Sequence, residues 1–125
     1  MTAGDEDLDL TQTEQARITD VVQAIVAGNR SLLNTIVDVP LVDEKIFWEC
    51  VDELQGSVVV PEGASPLRGG SYIAKDGAKT VTVKLLDRLT GGYDIAMICH
   101  SPSGDLADHI EVWTILRDYG AISYM

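Results

Sequence analysis

The sequence predicts an α+β domain, with two to three N-terminal helices packed on a curved antiparallel sheet of about five to six strands. Three observations predict it. Apolar residues recur at helical spacing through the first half of the chain. After Gly56 the period shortens to two. The separators between the later apolar runs are then short and rich in Gly, Asp, Ser and Pro, which favours antiparallel pairing of consecutive strands.

Residues 1–10 carry Asp5, Glu6, Asp7 and Asp9 with no basic residue, and read as a flexible acidic leader. A calcium loop starting at Asp5 fails, because Leu10 stands at the glycine position and Ala16 at the closing glutamate position. Thr11 and Glu14 fit a capping box, and Ile18, Val21, Val22, Ile25 and Val26 form one helical stripe that Gly28 terminates. Ser31 can cap a short second helix carrying Leu32, Leu33, Ile36 and Val37, ended by Pro40. Asp43 can cap a third, with Ile46, Phe47, Cys50, Val51 and Leu54 on its apolar face and Gly56 after it. Strands are expected at Ser57–Val60, Tyr72–Lys75, Thr80–Leu86, Tyr93–His100 and Ile110–Leu116, with a short last one at Ala121–Met125. Residues 61–70 read as a loop, and Asp76-Gly77 as a hairpin turn. Residues 11–125 therefore form a single α+β domain after the leader.

The chain has 125 residues, 20 acidic against 9 basic, and a net charge of −11. That balance disfavours nucleic acid and anionic membranes, both of which need a basic face. It favours a basic protein partner, which opposite fields would steer. No apolar run approaches the roughly 20 residues of a membrane span, and the acidic start is unlike a signal peptide, so a cytoplasmic location is expected. Cys50 and Cys99 lie in apolar positions without a CxxC motif, as reduced thiols would.

Catalytic chemistry finds little footing, and the reading leans away from an enzyme. His100 and Ser101 are adjacent on a strand and so face opposite ways, which breaks a Ser-His-Asp arrangement with Asp105 or Asp108. Cys99, His100, Asp105, Asp108 and His109 lack a recognised ligand spacing, so no metal and no cofactor is expected. Leu67-Arg68-Gly69-Gly70-Ser71 lacks the P-loop lysine and does not open a helix. The weak catalytic candidates are Asp94 and His100, which would act as acid or base if their strand face turned into a pocket. The simpler arrangement has Tyr93, Ile95, Met97 and Cys99 inward and Asp94 and His100 outward.

The third helix carries the most informative polar pattern. Glu49, Asp52 and Glu53 stand at i, i+3 and i+4 and share a face, at a mutual cost of a few tenths of a kcal/mol per pair. With Glu44 beside them and Trp48 off the apolar face, these residues are the candidate partner-binding set, Trp48 serving as an exposed anchor.

Two resemblances follow. The stretch Ala24-Ile25-Val26-Ala27-Gly28-Asn29-Arg30-Ser31-Leu32-Leu33 resembles the opening of nuclear-transport-factor-2-like (SnoaL-like, cystatin-like) α+β domains. The end, Ile110–Leu116 followed by Arg117-Asp118-Tyr119-Gly120 and Ala121–Tyr124, resembles their closing hairpin. That superfamily implies a pocket in the concavity of the sheet, hence a small-molecule-binding domain or an enzyme using Asp94 or His100. In functional type the chain resembles small acidic bacterial immunity proteins, which implies an inhibitor that masks a basic toxin such as a nuclease. A third expectation is a homodimerisation module pairing through the sheet, with Trp113 on its surface.

Overall fold

The computed structural model describes residues 6–41, 43–54, 56–61 and 67–117. Helices α1 (Gln12–Val26), α2 (Arg30–Ile36) and α3 (Glu44–Glu53) lie between a two-residue strand β1 (Glu6–Asp7) and the strands β2 (Arg68–Ile73), β3 (Lys79–Leu85), β4 (Ile95–Ser101) and β5 (Glu111–Arg117). The sheet is antiparallel throughout, with spatial order β1-β2-β3-β4-β5. The helices-then-meander order is thus as expected, with four full strands and one short one.

Helix α1 starts as its sequence dictates. The Thr11 hydroxyl accepts from the Glu14 N–H at 3.0 Å, and the Glu14 carboxylate accepts from the Thr11 N–H at 3.1 Å. Gly28, at φ +65°, ends it in the left-handed region. The expected cap of α2 moves by two residues: Asn29, not Ser31, accepts from the Leu32 N–H at 3.0 Å. An asparagine directly after the positive-φ glycine is already turned toward the next helix, so it claims the free amides first.

Glu14 does a second job. Although 96% buried, it accepts from the Leu106 N–H at 3.0 Å and pairs with the Lys79 ammonium at 3.4 Å. One turn on, Arg17 donates to the Ala107 carbonyl at 2.8 Å, to the Ile36 carbonyl at 2.7 Å and to Asp38 at 2.8 Å. Asp38 in turn accepts from the Ile110 N–H at 2.7 Å. The Arg17 and Asp38 side chains therefore join α1, the end of α2 and the β4–β5 loop through partly buried backbone groups.

On the sheet, Val81, Val83, Leu85, Ile95, Met97 and Cys99 point into one hydrophobic cluster with Ile18, Val21, Val22, Ile25, Leu33 and Phe47. Each fully buried aliphatic side chain contributes about 1.5–3 kcal/mol. The other face carries Thr80, Thr82, Lys84, Ile98 and His100. Between Ile98 and Cys99 the register shifts, so that Ile98 pairs with Thr114 and Cys99 with Val112. Trp113 is the extra residue of this bulge. The bulge lets both Val112 and Ile115 point inward while Trp113, 48% exposed, swings outward.

Several sequence expectations are corrected. Residues 6–10 of the expected leader join the fold: β1 pairs with β2, and buried Leu8 donates its N–H to the Leu67 carbonyl at 2.7 Å. Ser57–Val60 is not a strand; it makes a single bridge, Val58 to Asp87. Residues 68–70, expected in a loop, are the first half of β2, because Gly69 lets the strand approach Thr82 closer than any side chain would permit. The expected last strand, Ala121–Met125, lies outside the described residues.

Candidate partner-binding site on the third helix

Helix α3 begins at Asp43, whose carboxylate accepts from the Ile46 N–H at 3.2 Å. Its buried face is Phe47, Trp48 and Leu54, with Val51 packed partly against the core. This corrects the expected orientation. Trp48 is 3% exposed, whereas Ile46 is 56% exposed. Ile46 and Trp48 flank Phe47 on opposite sides, so the helix can bury only one of them deeply. The indole has far more apolar surface to remove from water than the Ile46 side chain, and it also packs edge-on against Phe47, with centroids 5.4 Å apart at 85°. Trp48 therefore belongs to the floor of the site and is not an exposed anchor.

Turning α3 this way leaves Glu44, Glu49, Asp52 and Glu53 exposed. Glu44 is in the first turn, where the helix dipole favours an acid. Asp52 and Glu53 are in the last turn, where the dipole disfavours acids, and that turn holds no basic residue. The only counter-charge on the helix is Lys45, 3.9 Å from Glu49 and 86% exposed at its side chain, a pair of little energetic weight.

Along this face runs a hollow of about 370 Å³, open to solvent and lined by Arg30, Glu44, Lys45, Trp48, Glu49 and Asp52. A smaller one of about 130 Å³ shares Arg30, Trp48 and Asp52 and continues between the end of α1 and α3, over Ile25, Val26, Val51, Leu54 and Val58. The Arg30 guanidinium lies over the Trp48 ring, 5.0 Å from its centroid. Among the described residues Arg30 makes no hydrogen bond or ion pair, although three carboxylates line the same hollow. The Trp48 Nε1–H is buried without an acceptor, alone in this among the described buried side chains. Leaving such a donor unmet costs about 1–3 kcal/mol.

Arg30 was not among the sequence-derived candidates. Nothing in its local pattern marks it. It follows the Gly28-Asn29 turn as the first residue of α2, and its contact with Trp48 spans 18 residues of sequence.

The sheet candidates fall elsewhere. Asp94 accepts from the Thr90 hydroxyl at 2.6 Å in the β3–β4 loop. His100 is near the other end of β4, about 20 Å away at the rise of a strand. Its ring stacks on Trp113, with centroids 4.5 Å apart, and its Nδ1 is 2.9 Å from the Thr80 hydroxyl. Neither residue lines either hollow, and the structure does not bring them together. Tyr93, expected inward with Ile95, is 44% exposed and lies under Arg68, whose guanidinium is 4.8 Å from the ring centroid. Ser101 is fully buried and faces away from His100, as the strand alternation requires.

Cys99 is fully buried, and burial pushes its thiol up to about 12; Cys50 is half-buried, and both are free. Among the described residues no three His, Cys, Asp or Glu side chains converge as a metal site would require, and no helix is long and apolar enough to cross a membrane. Compared with known proteins, the chain matches no family model, no curated protein and no solved structure.

Proposed function

We propose that this chain is a binding protein for a basic protein partner, docking it on the acidic face of α3. In its most specific form it is an immunity-type inhibitor that covers the positively charged active site of a toxin, such as a nuclease. The observation that carries the reading is electrostatic. Glu49, Asp52 and Glu53 are exposed at mutually repelling spacing, and two of them crowd a helix C-terminus with no base in its last turn. The free chain bears that cost, and a cationic surface relieves it. The flanking hollow adds relief for a partner to fill.

The test is affinity capture from a lysate of the source cells on immobilised protein, with elution by a salt gradient. A single basic protein should be retained by the parent chain. It should be lost when Glu44, Glu49, Asp52 and Glu53 are replaced together by Lys. Retention unaffected by the reversal, or capture of nothing across repeated trials, would refute the reading.

A further inference from the structure

Resting on the basic-partner reading, we infer that the α3 site is built to take one arginine side chain of the partner, and that Arg30 holds that seat in the free chain. The seat has the parts that recognise a guanidinium. The face of Trp48 supplies a π surface, and Glu44, Glu49 and Asp52 supply carboxylates around the same hollow. A guanidinium is already there: that of Arg30, 5.0 Å over the ring.

Yet Arg30 occupies the seat incompletely. It makes no hydrogen bond or ion pair among the described residues, so the planar donor fork that suits arginine to carboxylates is unused. Its side chain starts from the first residue of α2, and that tether sets how far across the hollow it can reach. An arginine arriving from the solvent side carries no such tether. It can lie on the indole and also donate to Glu49 or Asp52, and Arg30, exposed and held among the described residues only by its contact with the Trp48 ring, can swing away. The hollow, about 370 Å³, is ample for one such side chain. Lysine fits less well, because its ammonium is a strongly hydrated point charge that gains less from an aromatic face.

The experiment uses the ¹⁵N-labelled full chain and two variants, Arg30→Ser and Arg30→Gln. The glutamine variant keeps the side chain's length and removes its charge, so it serves if the serine variant does not fold. Each is titrated with N-acetyl-arginine amide and, as a neutral control, N-acetyl-leucine amide. The indole N–H signal of Trp48 reports the seat, and that of Trp113, on the opposite face, is the internal reference. Emptying the seat should tighten the arginine probe about fivefold or more relative to the parent. The Trp48 signal should move and the Trp113 signal should not. Adding Glu49→Gln and Asp52→Asn to the Arg30 variant should abolish the gain. Equal or weaker binding by both variants would overturn the proposal, as would an equal response to the leucine probe or a gain that survives loss of the two carboxylates. If the seat fails while the salt-released capture and its loss on charge reversal hold, the basic-partner reading stands without it. If capture fails while the seat binds arginine, the partner reading falls and the arginine site remains.

Discussion

Replacing Glu14 tests the one buried ion pair that ties α1 to the sheet among the described residues. Its carboxylate serves three donors: the Thr11 N–H, the Leu106 N–H and the Lys79 ammonium. The Glu14 and Lys79 side chains are only 5% and 11% exposed, so the pair is desolvated on both sides. Glu14→Gln keeps the shape and one acceptor oxygen but leaves Lys79 with an uncompensated buried charge. Removing one member of a buried pair costs about 3–5 kcal/mol, and the upper half of that range is offset by the amide's remaining hydrogen bonds. About 3 kcal/mol is therefore expected. Lys79→Met is the asymmetric partner. It removes the costly ammonium and leaves Glu14 two backbone donors, so about 1–2 kcal/mol is expected. The double variant buries no charge at this point and should lose less than the sum, with a coupling of about 2 kcal/mol. Urea unfolding of the four proteins supplies all the terms. Additivity within about 0.5 kcal/mol, or a Lys79→Met cost exceeding that of Glu14→Gln, would refute this account.

The remaining predictions concern separate parts of the molecule. Asp87 and Asp38 are both held below the ordinary carboxylate value: Asp87 by the Arg117 guanidinium at 2.7 Å, against the opposing effect of burial, and Asp38 by the Ile110 N–H and Arg17. Their stabilisation is complete above the unfolded value of about 4 and is lost as pH falls through the lower folded values, so urea midpoints should drop below about pH 4 and Asp87→Asn should flatten that limb. Trp48→Phe removes the orphaned N–H with part of the ring and should cost under about 1.5 kcal/mol, against about 3–5 for Trp48→Ala, by the same unfolding assay. Gly69→Ala should unpair β2 from β3, since a Cβ there would lie 1.7 Å from the Thr82 carbonyl oxygen at φ +144°; loss of amide-exchange protection across β2 is the readout. Cys50 should alkylate in the native chain while Cys99, buried and with its thiol pushed up to about 12, stays unmodified until the chain unfolds.

What was legible in the sequence was whatever depends on neighbours along the chain. The Thr11–Glu14 box, the Gly28 stop and the Asp43 cap are local hydrogen-bond or dihedral preferences, and all three appear where the residues place them. The meander order follows from short connections. The misplaced boundaries have a common cause. Gly69 and Gly70 read as loop residues because glycine carries no packing signal, yet close approach to Thr82 is what demands one there. Val58, Val59 and Val60 read as a strand because they are β-branched, but a strand needs a continuous ladder, and here the pairing stops at one bridge, Val58 to Asp87, flanked by the Val59 N–H to Leu86 and Arg88 N–H to Ser57 bonds.

The phase of α3 shows why the candidate site was only half readable. A charge stripe is fixed by spacing alone, so Glu49, Asp52 and Glu53 share a face whichever way the helix turns. Which apolar residue enters the core is a competition. Across one ten-residue helix the patterns containing Ile46 and those containing Trp48 differ by less than a quarter of a turn about their common centre at Phe47 and Val51. Periodicity cannot choose between them. The larger indole surface and the Phe47 contact choose Trp48, and Arg30, which the sequence places 18 residues earlier, closes over its outer side. That contact is tertiary, and Arg30 and Trp48 line the hollow beside the acidic stripe together. The aromatic part of the candidate site thus depends on a side-chain competition the linear pattern leaves open, whereas its charge does not.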